Sequence, residues 1–405
     1  MVSSYFYRAV ALMLTVGALS KVQKYDKREN ERAEKLAKLI EYDDKSKEKA
    51  TSQKIVCYYR AERNTTRRLQ PEDIDPNLCT HLIVGFAEVR YDFALPKTIQ
   101  DLECFNRTVT LKKKNAKMKV MLSIGGKSNG GFSRMVATKY GREKFIFSLL
   151  HFLDKYKFDG VDFDWEFPGW NGASPLERFF FNILLKELQF VIEKAKRNFL
   201  ISCAVAAHVA IIDTSYNVPE MAKVVDFINL MSYDFQLYNP AYPMTAHHSP
   251  LFSKNSEKNT NYYLNAAWAA GFWEARGMPR KKIMIGIPTH ARSYYLHSPY
   301  WNTISVPAKG PGIGKGKLTY PQVCNFLKKG ARQIFDLSTK VPFAHLGHDW
   351  IAFDNDHSIS FKSQWVKEEG YGGVMIFNLN NDDWSGSCDN STKFPLTRAA
   401  FKSLT

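Results

Sequence analysis

Short apolar runs recur along the chain from Lys54 onward, most of them separated by stretches long enough for a helix. Eight such blocks are rich in Val, Ile, Leu and Phe: Ile55 to Tyr59, His81 to Glu88, Lys119 to Ile124, Gly160 to Phe167, Leu200 to Ala206, Phe227 to Tyr233, Ile283 to Pro288 and Gly373 to Leu379. Their length and composition predict buried parallel strands. Between them, Arg142 to Lys155 and Leu176 to Lys196 place apolar residues every three or four positions, with Glu and Lys filling much of the remainder, and predict amphipathic helices. Alternating strands and helices predict an α/β fold, a (β/α)8 TIM barrel that eight strands close. The long interval from Pro288 to Gly373 breaks the alternation, and Gly and Pro are frequent from Pro307 to Pro321. It predicts a small α+β insertion after strand seven, at about residues 293–350. An open doubly wound sheet is the alternative, but no G-x-G-x-x-G turn follows the first strand.

The first 53 residues read differently. Arg8 followed by the apolar stretch Ala9 to Val16, with small residues at Ala18 and Ser20, predicts a signal peptide over residues 1–20, too short to span a bilayer. Lys21 to Lys54 holds eleven basic and eight acidic residues and no Cys or Trp. Residues 21–53 are therefore expected to be a charged linker or propeptide, with a solvated helix from Glu31 to Glu41. The main domain is expected over residues 54–405.

Composition narrows the function classes. A formal charge of +16 raises nucleic acid as a partner, but the cations are dispersed and no nucleic-acid-binding motif accompanies them. A basic solvated surface, with long-range attraction to acidic polymers, is the expectation. Six cysteines with no C-x-x-C pair, and no H-E-x-x-H helix, give no zinc signature, so neither metal nor cofactor is expected. Asn-x-Ser/Thr acceptors at Asn64, Asn106 and Asn390 suit an extracellular chain. No membrane association is expected after signal cleavage, and oligomeric state is not legible.

Chemistry concentrates in the fourth block. Asp162, Asp164 and Glu166 alternate along it, so a strand there projects all three carboxylates to one face and Phe163, Trp165 and Phe167 to the other. Crowded carboxylates raise one another's pKa, and a neutral acid near neutrality can donate a proton. Hydrogen bonds or a bound cation could equally satisfy an isolated D-x-D-x-E.

With Asp159, these residues match D-x-x-D-x-D-x-E, and FDGVDFDWEFPG as a whole resembles the signature of family 18 glycoside hydrolases, the chitinases and chitinase-like proteins. The resemblance runs from about Lys54 to the C-terminus through SIGG at Ser123 to Gly126, LMSYD at Leu230 to Asp234, GIPTHAR at Gly286 to Arg292 and GGVMIFNL at Gly372 to Leu379. It implies retaining hydrolysis of β-1,4-linked N-acetylglucosamine in which the substrate's acetamido group is the nucleophile. Glu166 would be the proton donor, Asp164 would orient the acetamido group, Asp162 would share a proton or charge with Asp164, and Tyr233 would hydrogen-bond the acetamido oxygen. Asp159 would be structural. Tyr58, Phe86, Met231, Asp234, Arg292 and Phe377 would contact the sugar, although Phe86 and Tyr233 suit a plain core equally.

The resemblance also implies bridges Cys57 with Cys79 and Cys324 with Cys388. Cys104 and Cys203 are left over, and a buried free thiol is expected at Cys203. The chain departs from the family pattern at five places. Lys127 and Glu62 stand near positions where Trp is usual, Phe377 replaces a Trp, and Phe167 and His290 each stand where Tyr is common. Stacking area is reduced, so a secreted chitinase is expected with a retuned groove. Chitin or chito-oligosaccharides are the expected partners. A chitinase-like lectin and an N-glycan-cleaving relative are the alternatives, and no Cys-rich chitin-binding module follows the last strand.

Overall fold

All eight apolar blocks become strands of one closed parallel ring. The computed structural model describes residues 53–61, 68–126, 131–254 and 260–405. The expected signal peptide and nearly all of the linker, with Glu62, Asn64 and Lys127, lie outside the described residues. The ring consists of β1 (Lys54–Arg60), β2 (His81–Arg90), β4 (Lys119–Gly126), β5 (Gly160–Trp165), β6 (Leu200–Ala206), β7 (Phe227–Met231), β8 (Ile283–Pro288) and β15 (Gly373–Phe377). β1 pairs in parallel with both β2 and β15, which closes the barrel, and the short β3 (Phe93–Leu95) folds back antiparallel on β2. The two expected helices are present as Lys139–Tyr156 and Leu176–Lys194.

Alternation along each strand divides the apolar residues into two layers. Outward-facing Phe163, Trp165, Val161 and Leu122 pack beneath the surrounding helices, where Trp165 stacks on Phe132 at 5.0 Å between ring centres. Inward-facing Val56, Ile83, Met121, Phe227, Met284 and Met375 fill the barrel itself. Burying each such side chain contributes on the order of 1.5–3 kcal/mol relative to exposure.

Several strands end earlier than the apolar pattern suggests. β5 pairs with β4 as far as Trp165 but with β6 only to Phe163, so the ladder runs out and Glu166 lies past its end. β7 stops at Met231 because Ser232 turns the chain, its N–H donating to Leu230 O and its Oγ to Gly286 O. Asp234 follows at φ 57°.

β8 passes through Thr289 alone into β9 (His290–Leu296), the first strand of the insertion. That insertion is a six-stranded antiparallel sheet running from His290 to Ala352, slightly wider than residues 293–350. Its other strands are β10 (Ala308–Pro311), β11 (Lys317–Thr319), β12 (Arg332–Asp336), β13 (Val341–Leu346) and β14 (Asp349–Ala352). Helix Tyr320–Lys328 covers one face through Val323 and Phe326, which pack with Leu318, Ala344 and Ile351. Tyr294, Leu296, Phe343 and Trp350 form a core on the other face.

Disulfides join Cys57 to Cys79 and Cys324 to Cys388. Cys104 and Cys203 are free thiols: Cys203 is buried on β6, and Cys104 lies 3.4 Å from the Tyr59 hydroxyl. Asn106 and Asn390 are exposed, although Thr108 of the Asn106 acceptor is buried and donates to Cys104 O.

Candidate active site

The D-x-x-D-x-D-x-E motif climbs the barrel from one end to the other. Asp159 precedes β5 at the N-terminal end, where Oδ2 accepts from Val120 N at 2.8 Å and Lys112 Nζ at 3.0 Å. Its role there is to join β4 and β5.

Asp162 sits at the centre with no exposed surface. Tyr58 Oη and Ser123 Oγ each donate to its Oδ2 at 2.8 Å, while Ser202 Oγ and Asn229 Nδ2 donate to Oδ1 at 2.7 and 3.1 Å. Those donors come from β1, β4, β6 and β7. Burial raises the Asp162 pKa, and the hydrogen bonds pull it back.

Asp164, one pleat higher, is also buried, and its Oδ1 has no hydrogen-bond partner among the described residues. Burial, then the charges of Glu166 and Asp162, hold its carboxyl well above the usual range, against a smaller opposing effect from Lys97. Asp164 therefore holds its proton to higher pH than an ordinary carboxylate. Gly125 of SIGG lets β4 lie close against this part of β5: at φ 115°, a Cβ there would lie 2.2 Å from the backbone O of Asp164.

Glu166 lies just beyond the strand, half-buried, and lines a cleft of about 350 Å³ with Phe167, Trp170, Met231, Tyr233 and Asp234. Phe167 packs partly on the outer apolar layer, as alternation predicts, but also borders this cleft because the strand has ended. Tyr233 stacks against Phe377 at 5.5 Å and 17° between planes. Its hydroxyl is buried without a partner among the described residues, and burial followed by Asp164 pushes its pKa well up. Tyr58 also lies against Phe377, at 5.6 Å, and packs toward Phe86 at 6.5 Å. Gly286 permits the approach of Tyr233, because a Cβ there would lie 3.0 Å from the tyrosine ring.

The rim beside Tyr233 is built by Asp234, Arg292, His290 and His248. Arg292 Nε donates to Asp234 Oδ1 at 2.8 Å, and its second nitrogen donates to Oδ2. His290 Nε2 and His248 Nδ1 lie 2.9 and 3.1 Å from the same Oδ1. Burial opposes ionisation of Asp234, but His290, Arg292 and His248 outweigh it and hold the carboxyl well below its usual range. Burial also lowers both histidines, His290 to about 4, so both rings are neutral at neutral pH.

The expected Glu166, Asp164, Asp162, Tyr233, Tyr58, Met231, Asp234, Arg292, Phe86 and Phe377 thus converge on the barrel interior and its C-terminal rim. Sequence reasoning missed Ser202, Asn229 and His248, and gave Ser123 no role. Ser202 and Asn229 carry a signal, since each is a polar residue on the inward parity of an apolar block. His248 carries none, because it lies 14 positions beyond Asp234 at the far end of a loop. A larger groove of about 710 Å³, with exposed Phe147 and Phe190, lies on the outer flank between helices Lys139–Tyr156 and Leu176–Lys194. It holds none of the motif carboxylates, so chemistry rather than size locates the site.

Comparison with known proteins settles the family. The sequence model described as Glycosyl hydrolases family 18 matches residues 54–382. The chain belongs to glycosyl hydrolase family 18. Among its family 18 relatives, human chitinase-3-like protein 2 is 35% identical over 367 residues, covering 87% of this chain and 92% of that protein. Mouse chitotriosidase-1 is also 35% identical over 367 residues, covering 87% of this chain and 78% of that protein. The solved structure of human YKL-39, described as a pseudo-chitinase with retained chitooligosaccharide binding properties, superposes with a TM-score of 0.82 at 34% identity, covering 87% of this chain and 100% of the other. These relatives include both a chitotriosidase and a pseudo-chitinase described as retaining chitooligosaccharide binding.

Proposed function

We propose that this family 18 protein is a secreted chitinase that cleaves β-1,4 bonds of N-acetylglucosamine polymers or oligomers with help from the substrate's own acetamido group. The observation that carries the reading is the stack of Asp162, Asp164 and Glu166, with burial and its charged neighbours raising the pKa of Asp164 next to the cleft-lining Glu166. In the first step Glu166 gives its proton to the glycosidic oxygen as the C1–O bond breaks. The acetamido carbonyl oxygen of the same sugar forms a bond to C1, leaving an oxazolinium ion and a free alcohol. Asp164 orients the acetamido group, and the Tyr233 hydroxyl, which has no partner among the described residues, donates to its carbonyl oxygen as charge develops. Water then attacks C1 while Glu166, now a carboxylate, takes the proton and is restored. Half-buried Phe377 and Tyr233 offer rings to the pyranose, with Tyr58 buried beneath Phe377.

Secretion is supported by the signal-like first 20 residues and by two disulfides, which persist in oxidising compartments. Among the described residues no helix is long and apolar enough to cross a membrane.

Similarity to a pseudo-chitinase favours a second reading, a chito-oligosaccharide-binding lectin with little or no hydrolysis. Incubation with labelled chitotetraose separates the two. Wild type is expected to release shorter oligomers, and Glu166→Gln to lose at least about 10³-fold in kcat while binding the tetramer within a fewfold of wild type. Equal turnover by both would refute the assignment of Glu166, and binding without turnover by wild type would establish the lectin.

A further inference from the structure

Two histidines and a carboxylate meet at the cleft rim in an arrangement that the family signature does not explain. Asp234 Oδ1, His290 Nε2 and His248 Nδ1 come from the turn after β7, the start of β9 and the loop between β7 and β8. The ligand atoms of this trio lie within 4.8 Å of one another, and the trio is the one such His/Cys/Asp/Glu group among the described residues. We propose that Asp234, His248 and His290 form a binding site for a divalent transition-metal ion, zinc or copper(II) in chemical class.

Donor spacing is the first argument. A tetrahedral ion with bonds of about 2.0–2.1 Å to nitrogen and oxygen needs donors roughly 3.3 Å apart. The two nitrogens stand 2.9 and 3.1 Å from Oδ1, a few tenths of an ångström short of that spacing, and all three donor atoms lie within 4.8 Å of one another.

The second argument is donor type. A carboxylate oxygen and two imidazole nitrogens all present lone pairs to a metal once each ring proton sits on its far nitrogen. Each neutral ring now turns its N–H toward Oδ1, and its far nitrogen, His290 Nδ1 or His248 Nε2, is buried without a partner among the described residues. Metal binding would move each proton to that far nitrogen. The exchange replaces the two ring hydrogen bonds to Asp234 with two coordination bonds, at the cost of two relocated N–H groups that face no acceptor among the described residues and need a water there. No proton leaves either ring.

Donor chemistry selects the ion. Two imidazoles and one carboxylate suit zinc or copper(II), whereas magnesium and calcium prefer oxygen-only shells. The fourth position would hold water. Arg292, which donates to both oxygens of Asp234, is the outer partner of the carboxylate, and its positive charge beside the ligand oxygen makes the site weaker than a closed structural zinc site. The site stands whether or not the cleft hydrolyses sugar.

The test uses the full chain without a histidine tag, titrated with Zn2+ by calorimetry and with Co2+ by visible absorption, with Mg2+ as control. One equivalent of Zn2+ is expected to bind, Co2+ to give a four-coordinate spectrum, and Mg2+ to give no heat. His248→Asn and His290→Tyr, each with folding checked by circular dichroism, are expected to weaken Zn2+ binding at least about tenfold. Absence of saturable Zn2+ binding at millimolar ion would overturn the site, and so would a six-coordinate Co2+ spectrum. Affinity unchanged in whichever variant remains folded would place the ion elsewhere and overturn it too.

Discussion

Asp164 shows how one residue's burial sets both chemistry and stability. Its folded pKa stands above the unfolded value of about 3.9, owing first to burial and then to Glu166 and Asp162. The group's contribution to stability is thus fully present below the unfolded pKa and is lost as pH rises through the folded one. Asp164→Asn, which keeps the shape and removes the titration, is expected to raise the melting temperature at pH 8 by about 1–3 °C and to lose that gain at pH 4. Equal melting shifts at both pH values would show that desolvation of the carboxyl is not the dominant effect. The three carboxylates and their shared face were legible in the sequence because strand parity alone fixes them. The clamp on Asp234 was not, since His248 reaches it through a loop whose path no periodicity encodes.

Elements reproduce the apolar blocks well in their interiors and less well at their ends. All eight blocks are strands, yet Glu166 and Tyr233 fall outside the ladder. Hydrophobicity continues past the last backbone pairing because residues at the barrel mouth still pack, and apolar pattern cannot separate packing from pairing. The insertion was legible as an interruption, but its strands were not, being three to seven residues long and bounded by turns. Its attachment depends on the Cys324–Cys388 bridge, which joins helix Tyr320–Lys328 to the segment after β15 across a separation of 64 residues. Tyr320 N also donates to Asn381 O at 2.8 Å there. A chain-entropy treatment of such a loop gives about 4 kcal/mol of stabilisation. The double variant Cys324→Ala with Cys388→Ala is expected to lower the denaturant midpoint accordingly, and an unchanged midpoint would show that the packing holds this seam without the bridge.

For the molecule as a whole, 56 basic against 40 acidic residues leave +16 of formal charge on a protein whose proposed ligand is uncharged. Charge of that size adds little to sugar binding but attracts acidic polymers at long range. Retention on an immobilised sulfated or carboxylated polysaccharide is expected to fall steeply as salt shortens the Debye length from about 30 Å at 0.01 M to about 8 Å at 0.15 M. Retention indifferent to salt would point to a specific contact instead.

Asp162 makes folding and function hard to separate. Its four hydrogen bonds come from four different strands, and each donor reaches the barrel axis only because its strand sits in one register. A slip by one residue would turn that donor outward and leave a lone pair of a fully buried carboxylate unanswered. The carboxylate beneath the reaction centre therefore works as a checksum on barrel closure. Replacing Asp162 would therefore disturb barrel closure as well as any hydrolysis, because the same four donors serve both.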